Sequence, residues 1–201
     1  VWRIKKIKIG ILSDIFDKIF QGIATSKDDV YFLYDCTEKE GKIEGFSKQL
    51  QRRVSIEEGL VKPLLKGEDV HRYCNVKSNR FIIFPYRLEH NQALLYTEHQ
   101  LIELFPLGYK YLKECEPELR GRENGRFNND MWYVYGRGQG INYGSIPKLL
   151  APEISLGGNF AYDINGQYYS TTKVYGYIKN KKCKYSYLFL LGLLNSELFW
   201  F

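Results

Sequence analysis

Phe81-Ile82-Ile83-Phe84-Pro85 is an unbroken apolar run halted by a proline. It is too short for a helix and has no polar face, the pattern of a short strand buried on both sides near the middle of a sheet. The chain on either side is read from that strand outward. Upstream, Leu12-Ser13-Asp14-Ile15-Phe16 reads as a capped helical turn and Gln21-Gly22-Ile23-Ala24-Thr25 as a loop turning tightly at Gly22. Val30-Tyr31-Phe32-Leu33-Tyr34 reads as a strand. Ser55-Ile56-Glu57-Glu58 has the composition of a capping-box helix start, residues 60–65 form an apolar strand broken by Pro63, and Lys66-Gly67-Glu68-Asp69 is a turn.

Downstream, Leu101, Leu104 and Phe105, then Tyr109, Leu112 and Leu119, recur at helical intervals around Pro106, which predicts two helices over residues 97–122. Lys148-Leu149-Leu150 and Glu153-Ile154-Ser155-Leu156 read as strands. Residues 160–169 read as a hairpin, because Asn165-Gly166 favours a type I′ turn. Residues 171–178 continue the sheet, and residues 185–199 form a helix with an apolar face. The sum is an α+β (mixed α/β) fold, a short-stranded twisted sheet packed with a few helices.

The length of 201 residues suits one large domain or two lobes of roughly 100 residues each. An aromatic share of 16%, with 17 Tyr, points to a recognition surface, and a net charge of +6 points to a polyanion, with nucleic acid the favoured partner. Cys36, Cys74, Cys115 and Cys183 lie far apart, and His71 and Cys74 find no second pair, so neither a zinc site nor a disulfide framework is expected. The apolar run at residues 187–194 falls short of the ~20 residues of a membrane span. Val1-Trp2-Arg3-Ile4-Lys5-Lys6, with no initiator Met, reads as the interior of a longer chain and not as a signal peptide.

Trp132-Tyr133-Val134-Tyr135-Gly136-Arg137-Gly138-Gln139-Gly140 carries the strongest functional signal. Its Arg suits the acceptor edge of guanine and its Gln that of adenine, while Trp132 and Tyr133 supply either a stacking surface or a structural wedge beneath the loop. Arg52 and Arg53, His71 and Arg72, and the group around Arg122 are candidate phosphate contacts; of Tyr168 and Tyr169, alternation turns one inward. No phosphate loop, nucleophile elbow or metal-type histidine pair stands out. A nuclease reading through Asp35 and Glu40, which sit in a polar loop, and a sugar-binding module remain as competing classes.

Five landmarks in order carry a resemblance. They are Gln21-Gly22-Ile23-Ala24-Thr25; Val61-Lys62-Pro63-Leu64-Leu65-Lys66-Gly67-Glu68-Asp69-Val70-His71-Arg72-Tyr73 with Phe84-Pro85-Tyr86; Trp132-Tyr133 with Arg137; Pro147-Lys148-Leu149-Leu150-Ala151-Pro152-Glu153-Ile154; and Leu193-Leu194-Asn195-Ser196. Together they resemble the TaqI-like C-terminal specificity domain. The resemblance implies that residues 1–201 are a DNA target recognition domain, a C-terminal fragment of a cytoplasmic restriction-modification protein. It implies double-stranded DNA as partner and an adenine N6 methyltransferase domain in the same polypeptide, with a fused endonuclease or a separate specificity subunit as variants. The family's Asn-Pro-Pro-Tyr motif is absent from this sequence, so S-adenosylmethionine and catalysis are assigned elsewhere, and no cofactor is expected in this fragment. Arg137, Gln139, Gln21, Thr25 and Asn142 are then the expected base-edge contacts, Lys148 a phosphate contact, and Tyr169 a contact beside the hairpin.

Overall fold

The computed structural model describes residues 12–90 and 92–200; the reading of residues 1–6 lies outside them. The chain begins with a helical turn, α1 (Leu12–Ile15), and enters β1 (Phe16–Gln21). A turn of helix, α2 (Asp28–Tyr31), leads into a meander of β2 (Phe32–Lys39), β3 (Lys42–Ser47) and β4 (Arg52–Glu57), followed by β5 (Val61–Leu65) and β6 (Phe81–Ile83). The hairpin β7 (Tyr86–Glu89) and β8 (Gln92–Leu95) precedes the helices α3 (Glu98–Leu104), α4 (Pro106–Glu114), α5 (Glu116–Arg120) and the single turn α6 (Arg122–Gly125). After a long irregular stretch come β9 (Lys148–Pro152), β10 (Ala161–Asp163), β11 (Tyr169–Ser170), β12 (Val174–Lys179), α7 (Tyr187–Leu194) and α8 (Glu197–Trp200).

The strands form a four-stranded sheet in the order β1-β12-β9-β10, a six-stranded sheet in the order β11-β5-β6-β2-β3-β4, and the separate β7-β8 ribbon. β6 lies inside the six-stranded sheet, with Ile82 and Ile83 wholly buried, as the apolar run predicts. The one short parallel pairing, β11 on β5, makes that sheet mixed. Helices α3 to α5 and the aromatic residues 132–135 pack on the six-stranded sheet, whereas α7 packs on the four-stranded one through Leu190 and Leu194. The fold is α+β.

Several local expectations are corrected. The run at residues 30–34 splits, because Asp28 and Asp29 favour a helical first turn and the strand starts at Phe32. Ser55, Ile56 and Glu57 end β4, where alternating burial fixes them as strand, and the helix start expected there is reduced to a single 3-10 turn over Glu58–Leu60. Residues 97–122 yield three helices because Pro106 and Pro117 each open a new one. The apolar C-terminal segment breaks after Leu194 into α7 and α8. No hairpin forms at Asn165-Gly166: β10 and β11 belong to different sheets, and of the pair only Gly166 has positive φ. The Asp163 carboxylate instead accepts the Gln167 and Tyr168 amides and shapes that turn.

Six tyrosines do not join the expected surface. Tyr31, Tyr86, Tyr111, Tyr133, Tyr135 and Tyr169 are buried. Their hydroxyls serve the backbone: Tyr31 donates to the Tyr133 carbonyl at 2.8 Å, Tyr133 to that of Tyr96 at 2.7 Å, Tyr135 to that of Ile83 at 2.5 Å and Tyr111 to that of Val30 at 2.6 Å. Burial lifts the Tyr133 phenol to about 12, so it remains a donor across the physiological range.

Arg122 is the buried charge that locks the irregular region to the rest. Its Nε donates to Leu119 O at 2.9 Å, and its two terminal nitrogens donate to Thr25 O at 2.8 Å and Trp132 O at 2.7 Å. The guanidinium lies 4.1 Å from the Phe127 ring centroid. Replacing Arg122 by Ala removes hydrogen bonds to three carbonyls, of which Thr25 O keeps the Gly136 amide, and is expected to cost about 3 kcal/mol in urea unfolding. Lys in its place restores only part of this, since an ammonium cannot reproduce the planar fork; full recovery with Lys would refute the fork's role.

Candidate functional site

Three crossing segments run side by side at the seam between the two larger sheets. Residues 22–27 leave β1 for the six-stranded sheet, residues 136–140 pass along them, and residues 170–172 lead from β11 back to β12. Ile23 N donates to Ser170 O at 2.7 Å and Gly22 N to Val174 O at 3.0 Å, while Gly136 N donates to Thr25 O and Arg137 N to Ala24 O, at 3.2 and 3.1 Å. Glycine is required at the closest crossings. A Cβ on Gly22 would stand 2.2 Å from the Ser170 carbonyl oxygen, and Gly140 has φ +73° with its Cβ position 2.8 Å from Gln21 O.

The seam therefore brings together Gln21, Thr25, Arg137 and Gln139, which the sequence holds far apart. A depression of about 400 Å³ opens there, lined by residues 23–28, Arg137 and Thr172. Of these four, only Arg137 is unspent among the described residues. Gln139 donates to Gln21 Oε1 at 3.0 Å and Gly22 O at 3.3 Å, and Gln21 donates to Thr172 O at 2.8 Å. Thr25 is fully buried and donates to Asp28 Oδ1 at 2.5 Å. Arg137 is exposed and forms no ion pair or side-chain hydrogen bond among the described residues. Glu123 stands near enough for the Arg137 charge to help depress its carboxyl, behind the larger effects of its hydrogen bonds to Ser26 and Arg126.

Burial corrects several other expected contacts. Trp132, Tyr133 and Tyr169 belong to the core and Arg122 is consumed by carbonyls, so none of them presents a surface to a partner. Trp132 donates to Glu98 at 3.2 Å from beneath the loop. Asn142 uses its oxygen to accept the Ala93 amide at 2.8 Å, bracing β8. Lys148, expected on phosphate, is 1% exposed, and its ammonium donates to Asp163 at 2.6 Å, Gly144 O at 2.6 Å and Ile146 O at 3.2 Å. Burial pulls its pKa below the ordinary lysine range against the opposing pull of Asp163. Arg52 and Arg53 are exposed on β4, the sheet edge opposite β11, where Arg52 pairs with Glu114 and Arg53 donates to Asp35 O and Glu44 O. The structure does not bring them to the seam.

The seam continues past Thr172 into a second depression lined by Asp28, Tyr34, Lys66 and Lys173 among others. Lys48 and Lys66 lie 4.4 and 4.9 Å from the Tyr34 ring centroid, a cluster the sequence does not show because its members come from β2, the turn after β3 and the end of β5. Lys173 pairs with Glu153 at 2.7 Å, and beyond Glu153 a third hollow is lined by His71, Arg72, residues 154–156, Gly158 and Asn159. Arg137, Lys66 and Arg72 thus mark one path, none of them neutralised by a carboxylate among the described residues. Exposed pairs such as Lys27–Glu118 and Lys173–Glu153 exchange partners at little cost. Among the described residues no group of three or more His, Cys, Asp or Glu side chains is placed to hold a metal, and no helix is long and apolar enough to cross a membrane.

Residues 62–201 match the family described as the TaqI-like C-terminal specificity domain. Over 91% of its length the chain is 23% identical to the Type II restriction enzyme and methyltransferase RM.Eco57I of Escherichia coli, and it spans 20% of that protein.

The Lys148–Asp163 pair separates a structural lysine from a contact lysine. Lys148→Met, which leaves a buried carboxylate without its counter-charge, is expected to lower unfolding stability by about 3 to 5 kcal/mol, with much of the loss returned in the double variant Lys148→Met/Asp163→Asn. Urea titrations of the four proteins in the cycle measure it, and an unchanged midpoint for Lys148→Met would return this residue to the contact set.

Proposed function

The chain belongs to the TaqI-like C-terminal specificity domain family, and from that premise we propose that it reads double-stranded DNA along the seam between its two larger sheets, with Arg137 as the base-edge donor. The observation that carries the reading is the convergence at Arg137. A fork-shaped cation with no ion-pair partner among the described residues stands on a loop held by backbone hydrogen bonds to residues 24–25. An arginine held by its backbone and free at its tip suits bidentate donation to guanine O6 and N7. Lys66 and Arg72 further along, joined by Lys27 on exchange of its surface pair, supply phosphate contacts that set register without reading sequence. Asp28 and Asp29 in the same groove offset part of this charge, which favours contact at defined points over diffuse attraction.

In this reading residues 1–201 are one recognition unit and double-stranded DNA is the partner. The unit serves an adenine N6 methyltransferase in the same polypeptide, in the cytoplasm. The support is the family together with the restriction enzyme and methyltransferase that this chain resembles over a fifth of its length. S-adenosylmethionine and the catalytic groups belong to that methyltransferase part, and the unit described here holds the duplex while the target adenine is turned out of the stack.

A panel of duplexes varying one base pair at a time, built around a site selected from a randomised pool, tests the assignment. Arg137→Ala is expected to lose about 1 to 3 kcal/mol at one position and little elsewhere, with Arg52→Ala on the far sheet edge as an unaffected control. Equal losses at every position would reduce Arg137 to a phosphate contact, and affinity indifferent to salt would remove the DNA reading itself.

A further inference from the structure

Beyond the seam, residues 153–159 project as a short finger. Ile154 is 85% exposed and Leu156 wholly so, although the sequence pattern reads this stretch as a strand. The finger is anchored at both ends. Glu153 N donates to Lys173 O at 2.8 Å and its carboxylate takes the Lys173 ammonium at 2.7 Å, while Asn159 accepts the Arg72 amide at 2.7 Å. At the tip, Ser155 Oγ donates to Gly157 O at 3.0 Å and Gly157 has φ +82°, a tight reversal just after Leu156.

We propose that this finger is a wedge whose Leu156 inserts between stacked base pairs of the duplex, a role that rests on the DNA-reading assignment above. Two observations choose this occupant. The first is continuity: Lys173, which grips the finger's base, lines the same depression as Thr172, and Thr172 lines the depression that holds Arg137. A duplex lying on Arg137 and Lys66 therefore runs on to the finger. The second is the rim: the hollow beside Ile154 and Leu156 is bordered by His71, Arg72, Ser155 and Asn159. A pair of apolar prongs beside Arg72 and a polar collar matches the faces of bases flanked by phosphates. Insertion opens a base step locally, which lowers the work needed to extract a neighbouring nucleotide.

The test uses the selected duplex with 2-aminopurine at each adenine in turn and a fluorescent guanine analogue at each guanine, because unstacking raises the emission of both. The wild-type chain is expected to raise emission at one step. Leu156→Ala is expected to abolish that rise and weaken binding about tenfold, while keeping the base preference set by Arg137 and, since the side chain is fully exposed, the unfolding midpoint. A wild-type chain that binds with Arg137-dependent preference yet raises emission nowhere overturns the wedge and leaves the DNA-reading assignment standing. The wedge is equally overturned if Leu156→Ala matches wild type in emission and affinity, the result expected were another protein segment the occupant. Absence of duplex binding by the wild type overturns both.

Discussion

A guanidinium taken out of water with no carboxylate among the described residues to meet it is the constraint from which the site follows. Arg122 satisfies its charge with the carbonyls of Leu119, Thr25 and Trp132 and with the faces of Phe127 and Tyr31. Such a group is tolerated only where every donor is met. Its position therefore dictates where three separate chain segments stand. The Thr25 carbonyl it grips also accepts the Gly136 amide, so the geometry of the 136–140 loop is inherited from the placement of a buried charge. Arg137 is presented at the seam because Arg122 is not.

The phenols extend the same logic to residues 126–147, where regular secondary structure cannot satisfy the backbone. A buried irregular segment must find partners for its amides and carbonyls. Here tyrosine hydroxyls provide two of them, Tyr86 Oη accepting the Tyr135 amide at 2.7 Å and Tyr31 Oη donating to the Tyr133 carbonyl at 2.8 Å, while Tyr133 and Tyr135 in turn donate outward to Tyr96 and Ile83. Each ring adds edge-to-face or tilted packing, as between Tyr31 and Tyr135 at 5.0 Å and between Phe84 and Tyr169 at 4.7 Å. Rigid struts of this kind suit a platform that must hold a loop in one orientation. They also account for an aromatic content that, as bare composition, resembles a binding surface.

The fold class, the buried strand at Phe81 and the family were legible in the sequence because the landmark residues are fasteners with demanding geometry. Gly22 admits the Ser170 carbonyl, Asp69 takes Arg80 through both oxygens, and Asn195 clamps the Phe160 amide and carbonyl at 2.7 and 2.9 Å. The site was half legible. Residue type singled out Arg137 and the Gln21–Thr25 loop, and the crossing segments do meet. What sequence cannot show is which polar groups are already spent on partners far away in the chain. Gln139 is turned onto Gln21, Asn142 onto Ala93, and Lys148 onto Asp163. The misread hairpin has the same origin, since Asp163 supplies from a side chain the hydrogen bonds that Asn165-Gly166 would have arranged through its backbone.

Residues that hold the seam together and residues free at its surface are energetically separate. Arg137 holds no ion pair among the described residues, and a side chain at Gly138 would meet nothing within 4 Å. Substitution at either position leaves no cavity and no orphaned buried group, the two routes by which most point changes destabilise a protein. Arg122, Gly22 and Lys148, by contrast, are tied into the fold by buried hydrogen bonds and close backbone contact. A recognition loop whose tip is energetically independent of its support can alter what it reads without altering what holds it. The same independence makes Arg137 a poor contributor to stability and leaves its hydrogen-bonding capacity free for a partner.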